Sequence, residues 1–75
     1  METLDARGWR CPMPLLKVKL WLKSAAAGQQ LRLTIDDAGS RQDIPNYLAN
    51  TAQPFQVVED HDTHLILVLA KSPKE

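Results

Sequence analysis

The single cysteine of this 75-residue sequence, Cys11, is the residue whose type and position most favour chemistry. It directly precedes Pro12, at the predicted start of a helix, where free backbone N–H groups and the helix dipole favour an anion. Cysteines at helix N-termini have lowered pKa values, and the thiolate is the nucleophilic form. The nearby Arg7 and Arg10 favour the thiolate further. The sequence therefore predicts a reactive thiol whose pKa lies below the free-cysteine value of about 8.5.

Two prolines limit this activation. Pro12 and Pro14 fix φ in the first turn and make the predicted helix start rigid, but they also remove two N–H donors. The predicted lowering of the thiol pKa is therefore moderate. A buried cysteine that packs as a small hydrophobic residue is the alternative interpretation.

The chain lacks residues that several classes of cysteine protein require, which narrows the reactions open to Cys11. Without a second cysteine the chain forms neither an intrachain disulfide nor a four-cysteine zinc site, and thioredoxin-type chemistry is excluded. A hydrolytic cysteine enzyme needs a base oriented by a third group. The only histidines, His61 and His64, are predicted at or beside a hairpin tip, and the sequence does not specify whether either faces Cys11. A lone activated thiol fits a carrier that accepts a group on sulfur and hands it to a partner.

Two further clusters contain residue types that perform chemistry. Residues 59–64 combine three acids with His61 and His64, but oxygen-rich turns usually stay solvated and the histidines need not converge. We therefore predict no metal site. The pair Asp36 and Asp37 is predicted to end a strand and to contribute to a docking surface, without acid–base catalysis.

The charge is balanced overall but unevenly distributed. Nine Lys and Arg residues oppose nine Asp and Glu residues. Residues 1–24 hold five basic and two acidic groups, a net of +3, whereas residues 25–75 hold four and seven, a net of −3. Cys11 lies in the positive segment, although such asymmetry also arises by chance. Zero net charge and the lack of exposed aromatic residues disfavour direct nucleic-acid binding. The basic groups of the first segment therefore fit docking to an acidic protein surface better.

Apolar periodicity predicts six elements that position these residues. They are strands over 1–6, 30–35, 55–58 and 64–70, and helices over 12–27 and 41–51. The order β-α-β-α-β-β predicts an α/β (α+β) two-layer sandwich, with a mixed four-stranded sheet and two helices packed on one face. A chain of this length forms one domain, predicted over residues 1–71 with a disordered tail over 72–75.

Both predicted helices have features that the fold has to accommodate. The first carries Leu16 and Leu20 away from its main apolar stripe, which predicts either a second contact or partial burial at the core edge. Ser40 and Asp43 have capping spacing, so the second helix is predicted to begin there, with Pro45 in its first turns.

No apolar run in the sequence approaches the roughly 20 residues of a membrane span. No charged stretch leading into an apolar block opens the chain, so no secretory signal is predicted. We therefore expect a cytoplasmic protein with a reduced thiol and no membrane partner.

The segment Leu4–Lys17 resembles the signature of the TusA (SirA-like) sulfur-carrier family, L-D-x-x-G-x-x-C-P-x-P-L. Asp36-Asp37 and the Ser-Arg-Gln-Asp-Ile-Pro run over 40–45 resemble that family's acidic loop and D-I-P helix start. C-P-x-P alone is modestly specific, but the combination is strong and covers about residues 3–71. Ala38 and Ala52-Gln53 stand where many members have Pro and Gly-His, which bears on partner identity more than on chemistry.

The resemblance implies a two-layer sandwich and a persulfide on Cys11, with Gly8, Arg10, Pro12 and Pro14 in support. It implies no cofactor beyond this transient sulfur. The donor is a cysteine desulfurase or a rhodanese-like protein, and the acceptor is a protein of tRNA thiolation, molybdenum-cofactor or sulfur-oxidation pathways. The candidate docking residues are Arg7, Leu16, Lys17, Leu20, Lys23, Asp36 and Asp37. The alternative is a non-catalytic regulatory or interaction module on the same fold, in which Cys11 is incidental.

One residue beside the thiol departs from the resemblance. Trp9 stands where the family usually carries a smaller apolar residue. We predict that it anchors in the core under the first helix, the alternative being a place on the docking face.

Overall fold

The computed structural model describes residues 1–73 and contains the six predicted elements in the predicted order. The bounds are β1 Glu2–Asp5, α1 Met13–Ser24, β2 Gln30–Ile35, α2 Ala38–Asn50, β3 Phe55–Asp60 and β4 Leu65–Ala70.

The four strands form one mixed sheet in the order β1-β2-β4-β3. β1 pairs parallel with β2, whereas β4 pairs antiparallel with both β2 and β3. The predicted α+β class and mixed sheet are confirmed. The second strand–helix–strand unit predicts that β2 pairs parallel with β3, and this prediction was wrong. The two strands run in the same direction, but β4 lies between them.

Alternation along the central strand β2 gives the sheet one buried face. In β2 every second residue is buried, from Leu31 through Leu33 to Ile35, while Arg32 and Thr34 face the other way. Helical spacing of three or four residues gives each helix one buried stripe that covers this face. The buried helical residues are Pro14, Val18 and Leu22 in α1, and Ser40, Ile44 and Leu48 in α2.

Helix α2 begins three residues earlier than predicted. Its N-cap is Asp37 rather than Ser40, and the Asp37 carboxylate accepts from the Ser40 backbone N–H at 3.0 Å and from its hydroxyl at 3.2 Å. Pro45 is consequently the eighth helical residue and not part of the first turns, so the bond that its N–H would donate to the preceding turn is missing. The predicted Ser40 cap was wrong because Ser40 is buried inside the helix.

The other boundaries differ less. Helix α1 ends at Ser24, not near Ala27, because Ala25 adopts an extended conformation. β3 continues to Asp60, two residues further than predicted, and a register irregularity lies between Val57 and Glu59.

The end of the described chain packs against the domain. Ser72 is buried, and its backbone N–H donates to Gln53 Oε1 at 2.7 Å. The disordered tail was predicted over 72–75; residues 74–75 lie outside the described part of the chain. Over residues 1–73, neither helix combines the length and apolar character needed to cross a membrane.

Candidate functional site

Cys11 is exposed and stands one residue before Pro12, the N-cap of α1. The loop that carries it turns into the helix through backbone bonds, from the Met13 N–H to the Arg10 carbonyl at 2.8 Å and from the Leu16 N–H to the Pro12 carbonyl at 3.0 Å. Pro14 is buried in the first turn and fixes the helix start on the core. The sulfur is thus presented to solvent from a fixed backbone.

The acidic pair that follows β2 holds this loop in place. The Gly8 N–H donates to both carboxylate oxygens of Asp36, at 2.9 and 3.1 Å. The Cys11 N–H donates to Asp37 Oδ2 at 3.2 Å. Gly8 has φ +86°, a left-handed conformation that favours glycine. Asp36 and Asp37 were predicted as docking residues; the structure gives them a positioning role that the sequence analysis missed.

The N-terminus of α2 also meets the cysteine. A Cβ atom placed on Gly39 would lie 3.4 Å from Cys11 Cβ and 3.7 Å from Sγ. The absence of a side chain at Gly39 therefore lets the start of α2 approach the sulfur closely. Because Cys11 also lies at the start of α1, the positive ends of two helix dipoles converge there. No role at the site was predicted for Gly39 from the sequence.

Asp43, one helical turn beyond Gly39, is the acidic neighbour of the thiol. The Cys11 Sγ–H donates to Asp43 Oδ2 at 3.5 Å. The sequence analysis placed Asp43 only in a capping pattern with Ser40. The signal that could have found it is its spacing of four residues from Gly39, which puts the two positions on adjacent turns of one face of α2.

The electrostatic environment raises the pKa of the Cys11 thiol above its ordinary value. Partial loss of hydration at the sulfur is the largest cause, followed by the hydrogen bond to Asp43 and the negative charges of Asp43 and Asp37. The prediction of a lowered pKa was therefore wrong. Arg7, one of the predicted activating residues, forms an ion pair with Asp5 at 2.8 Å instead.

The outward side of α1 carries an exposed apolar face, formed by Met13, Leu16 and Leu20. These side chains are 54%, 45% and 61% exposed. Their spacing places them together, opposite the buried Val18, with the exposed Lys17 beside them. Leu16 and Leu20 therefore lie outside the buried core cluster, and the face begins two residues after Cys11.

The aromatic residue beside the thiol lies on the core side. Trp9 is half-buried and packs against the core cluster. Trp9 therefore supports the cysteine loop from the core side, in agreement with its predicted role as a core anchor.

The two histidines lie away from the hydrogen-bond network of the cysteine. Within residues 1–73, the described hydrogen bonds of Cys11 go to Asp37 and Asp43. His61 and His64 lie instead beside Glu59 in the β3–β4 hairpin, with ligand atoms of all three residues within 4.8 Å of one another. The structure thus brings together side chains that the sequence analysis did not expect to converge.

Comparisons with known proteins agree on one family. The model of a family described as "Sulfurtransferase TusA" matches residues 2–71. A protein of Halobacterium salinarum is 41% identical over 51 residues, which cover 68% of this chain and 63% of that protein. YrkF of Bacillus subtilis is 36% identical over 52 residues, which cover 69% of this chain and 28% of that protein. Both bear the name "putative sulfur carrier protein".

The matched region therefore spans less than two thirds of either relative. Among solved structures, the SirA-like protein of Desulfitobacterium hafniense superposes with a TM-score of 0.79, covering 96% of this chain and 99% of that one. At 23% sequence identity this likeness shows the fold alone.

Proposed function

This chain belongs to the TusA sulfurtransferase family, and we propose that it carries sulfur as a persulfide on Cys11. The sulfur comes from a cysteine desulfurase or a rhodanese-like donor in the cytoplasm. It passes by direct contact to an acceptor protein of a tRNA-thiolation, molybdenum-cofactor or sulfur-oxidation pathway. The observation that carries the proposal is the exposed Cys11, fixed where two helix N-termini converge, in a sequence without a second thiol.

The transfer is a thiol–persulfide exchange. The Cys11 sulfur attacks the outer sulfur of the donor persulfide, a new S–S bond forms on Cys11, and the donor cysteine leaves as a thiolate. The sulfur moves without net oxidation or reduction. Because the raised pKa keeps the thiol protonated at neutral pH, its proton has to leave as the bond forms, and Asp43 Oδ2 is the hydrogen-bond acceptor in place.

The two helix N-termini beside Cys11 suit the loaded state. A persulfide places its terminal sulfur about 2 Å beyond Sγ. That sulfur carries negative charge, which the N-termini of α1 and α2 stabilise. In the second transfer Cys11 is the leaving group, and a thiolate of higher pKa leaves more slowly. The raised pKa therefore favours retention of the sulfur until an acceptor is docked.

Persulfide formation is tested directly by intact mass. After incubation with a cysteine desulfurase and free cysteine, without added reductant, we expect the protein to gain the mass of one sulfur atom. The Cys11→Ser variant, checked for native circular dichroism, is expected to gain nothing because it lacks the accepting thiol. A gain that persists in this variant, or no gain with desulfurase and rhodanese-like donors alike, contradicts the proposal and leaves the interaction-module alternative.

The docking surface is proposed to combine the apolar face of α1 with the lysines at its edges. Charge reversal at Lys17 and Lys23 is expected to weaken binding to the donor, with a larger effect at low salt because ions screen exposed charges. Titration calorimetry at two salt concentrations measures this.

Lys19→Glu is the matched control for charge reversal on α1. The Lys19 Nζ lies 5.1 Å from the centre of the Tyr47 ring, so its side chain is directed toward α2. Equal losses in Lys17→Glu and Lys19→Glu, or unchanged affinity in the double variant, place the docking surface elsewhere.

A further inference from the structure

The β3–β4 hairpin brings three metal-ligating side chains to one place. Glu59 precedes the turn, and the His61 Nε2–H donates to Glu59 Oε1 at 2.9 Å. The turn is closed by the His61 backbone N–H, which donates to the His64 carbonyl at 2.9 Å. This bond sets both imidazoles side by side, with ring centroids 4.7 Å apart. Backbone pairing, rather than chance contact of long side chains, therefore positions the cluster.

Neighbouring groups already orient two of the three ligands. Thr63 Oγ1 lies 2.9 Å from His64 Nδ1, so a neutral ring that donates its Nδ1–H to this hydroxyl keeps the Nε2 lone pair free. Arg32 Nη2 lies 3.6 Å from Glu59 Oε2, which leaves Oε1 turned toward His61. Oriented ligands of this kind are a common feature of metal sites.

We propose that Glu59, His61 and His64 bind one divalent transition ion of the imidazole-preferring class, with Zn²⁺ as its representative. Two imidazole nitrogens and one carboxylate oxygen form a common three-ligand zinc set, with a fourth position open to solvent. Bonds of about 2.0–2.2 Å place two tetrahedral ligands about 3.3 Å apart. His61 Nε2 and Glu59 Oε1 lie near that separation, and the metal replaces the proton between them, which passes to solvent. His64 completes the set by a side-chain rotation, since one ring nitrogen of each histidine and one carboxylate oxygen of Glu59 lie within 4.8 Å of one another.

Zinc titration of the metal-free full-length chain tests the site. A cysteine thiolate also binds zinc, so wild type and Cys11→Ser are compared first. Further substitutions are then made in the Cys11→Ser background. Calorimetry is expected to give one ion per chain with a dissociation constant below about 100 μM. The imidazole ¹⁵N resonances of both histidines are expected to shift on binding.

Single-ligand variants decide between this site and non-specific binding. His61→Gln and His64→Gln are each expected to weaken Zn²⁺ binding at least about tenfold, because each removes one of three ligands. Asp62→Asn, a charge removal in the same turn, is the matched control and is expected to leave the affinity within about twofold. All of these positions are exposed or half-exposed, so the variants are expected to fold. Binding that survives either histidine substitution, or no binding at about 1 mM Zn²⁺, overturns the proposal.

Discussion

The Asp43→Asn variant is expected to alkylate at Cys11 roughly threefold to tenfold faster than wild type at neutral pH. The substitution preserves side-chain shape but removes a carboxylate that accepts the Sγ–H at 3.5 Å and repels the thiolate. Without that charge the pKa of the thiol falls, and the thiolate fraction at pH 7 rises. The gain in rate is smaller than the gain in thiolate, because a less basic thiolate is a weaker nucleophile.

The measurement is the rate of iodoacetamide alkylation as a function of pH. The midpoint of the profile is expected to move to lower pH in Asp43→Asn. The control is Asp62→Asn, which removes an acid in the hairpin turn and is expected to leave the midpoint in place. A midpoint that stays or moves upward would mean that Asp43 does not control the thiol. In that case lost hydration and the charge of Asp37 account for the raised pKa of the thiol.

Local patterns predicted the helices and strands of this fold because the residues that specify each element lie close together in the sequence. The alternation of Leu31, Leu33 and Ile35 specifies one buried face of β2 whichever strands flank it. Prolines confined to the first turn similarly mark the beginning of α1. What the patterns did not specify is that β4 enters the sheet between β2 and β3, because strand order depends on packing between distant segments.

The start of α2 shows how two caps can compete in one sequence. Two residue pairs have the spacing of a helix cap: Ser40 with Asp43, and Asp37 with Ser40. In each pair the side-chain oxygen of the first residue can accept from the backbone N–H of the second. The choice depends on which residue stays extended, and Asp37 does, with φ −73° and ψ 131°. Ser40 is buried inside the helix, so Asp37 is the cap. Burial depends on the assembled core and is therefore not specified by the local sequence.

The environment of Cys11 was mispredicted because its strongest neighbours are distant in sequence. Arg7, four residues away, was predicted to favour the thiolate, but its side chain pairs with Asp5. Asp43 lies 32 residues from Cys11 and reaches the sulfur only when α2 packs beside α1. The position of the thiol at a helix start was predictable, but its charge environment was a tertiary property.

Removal of the Asp37 side chain is expected to lower the melting temperature by about 4–8 °C and to loosen the cysteine loop together with α2. One carboxylate oxygen, Oδ2, accepts from the Ser40 N–H, the Ser40 hydroxyl and the Cys11 N–H, so Asp37→Ala releases a helix cap and a loop tether at once. Asp36→Ala is the matched control, because it releases only the Gly8 N–H. Calorimetry is expected to show a smaller loss for Asp36→Ala, and hydrogen exchange to show a faster Cys11 amide in Asp37→Ala.

The pH dependence of this loss identifies its origin. The Ser40 backbone N–H, as the largest cause, holds the pKa of Asp37 below its ordinary value. A carboxyl whose pKa is lower in the folded than in the unfolded chain stabilises the fold above the unfolded value of about 3.9. That contribution is lost as the pH falls toward the folded value. The melting-temperature difference between wild type and Asp37→Ala is therefore expected to be constant near neutrality and to shrink below about pH 4. A difference that persists unchanged in acid would show that Asp37 acts through packing and not as an ionised cap, and its role in holding the thiol would then need another explanation.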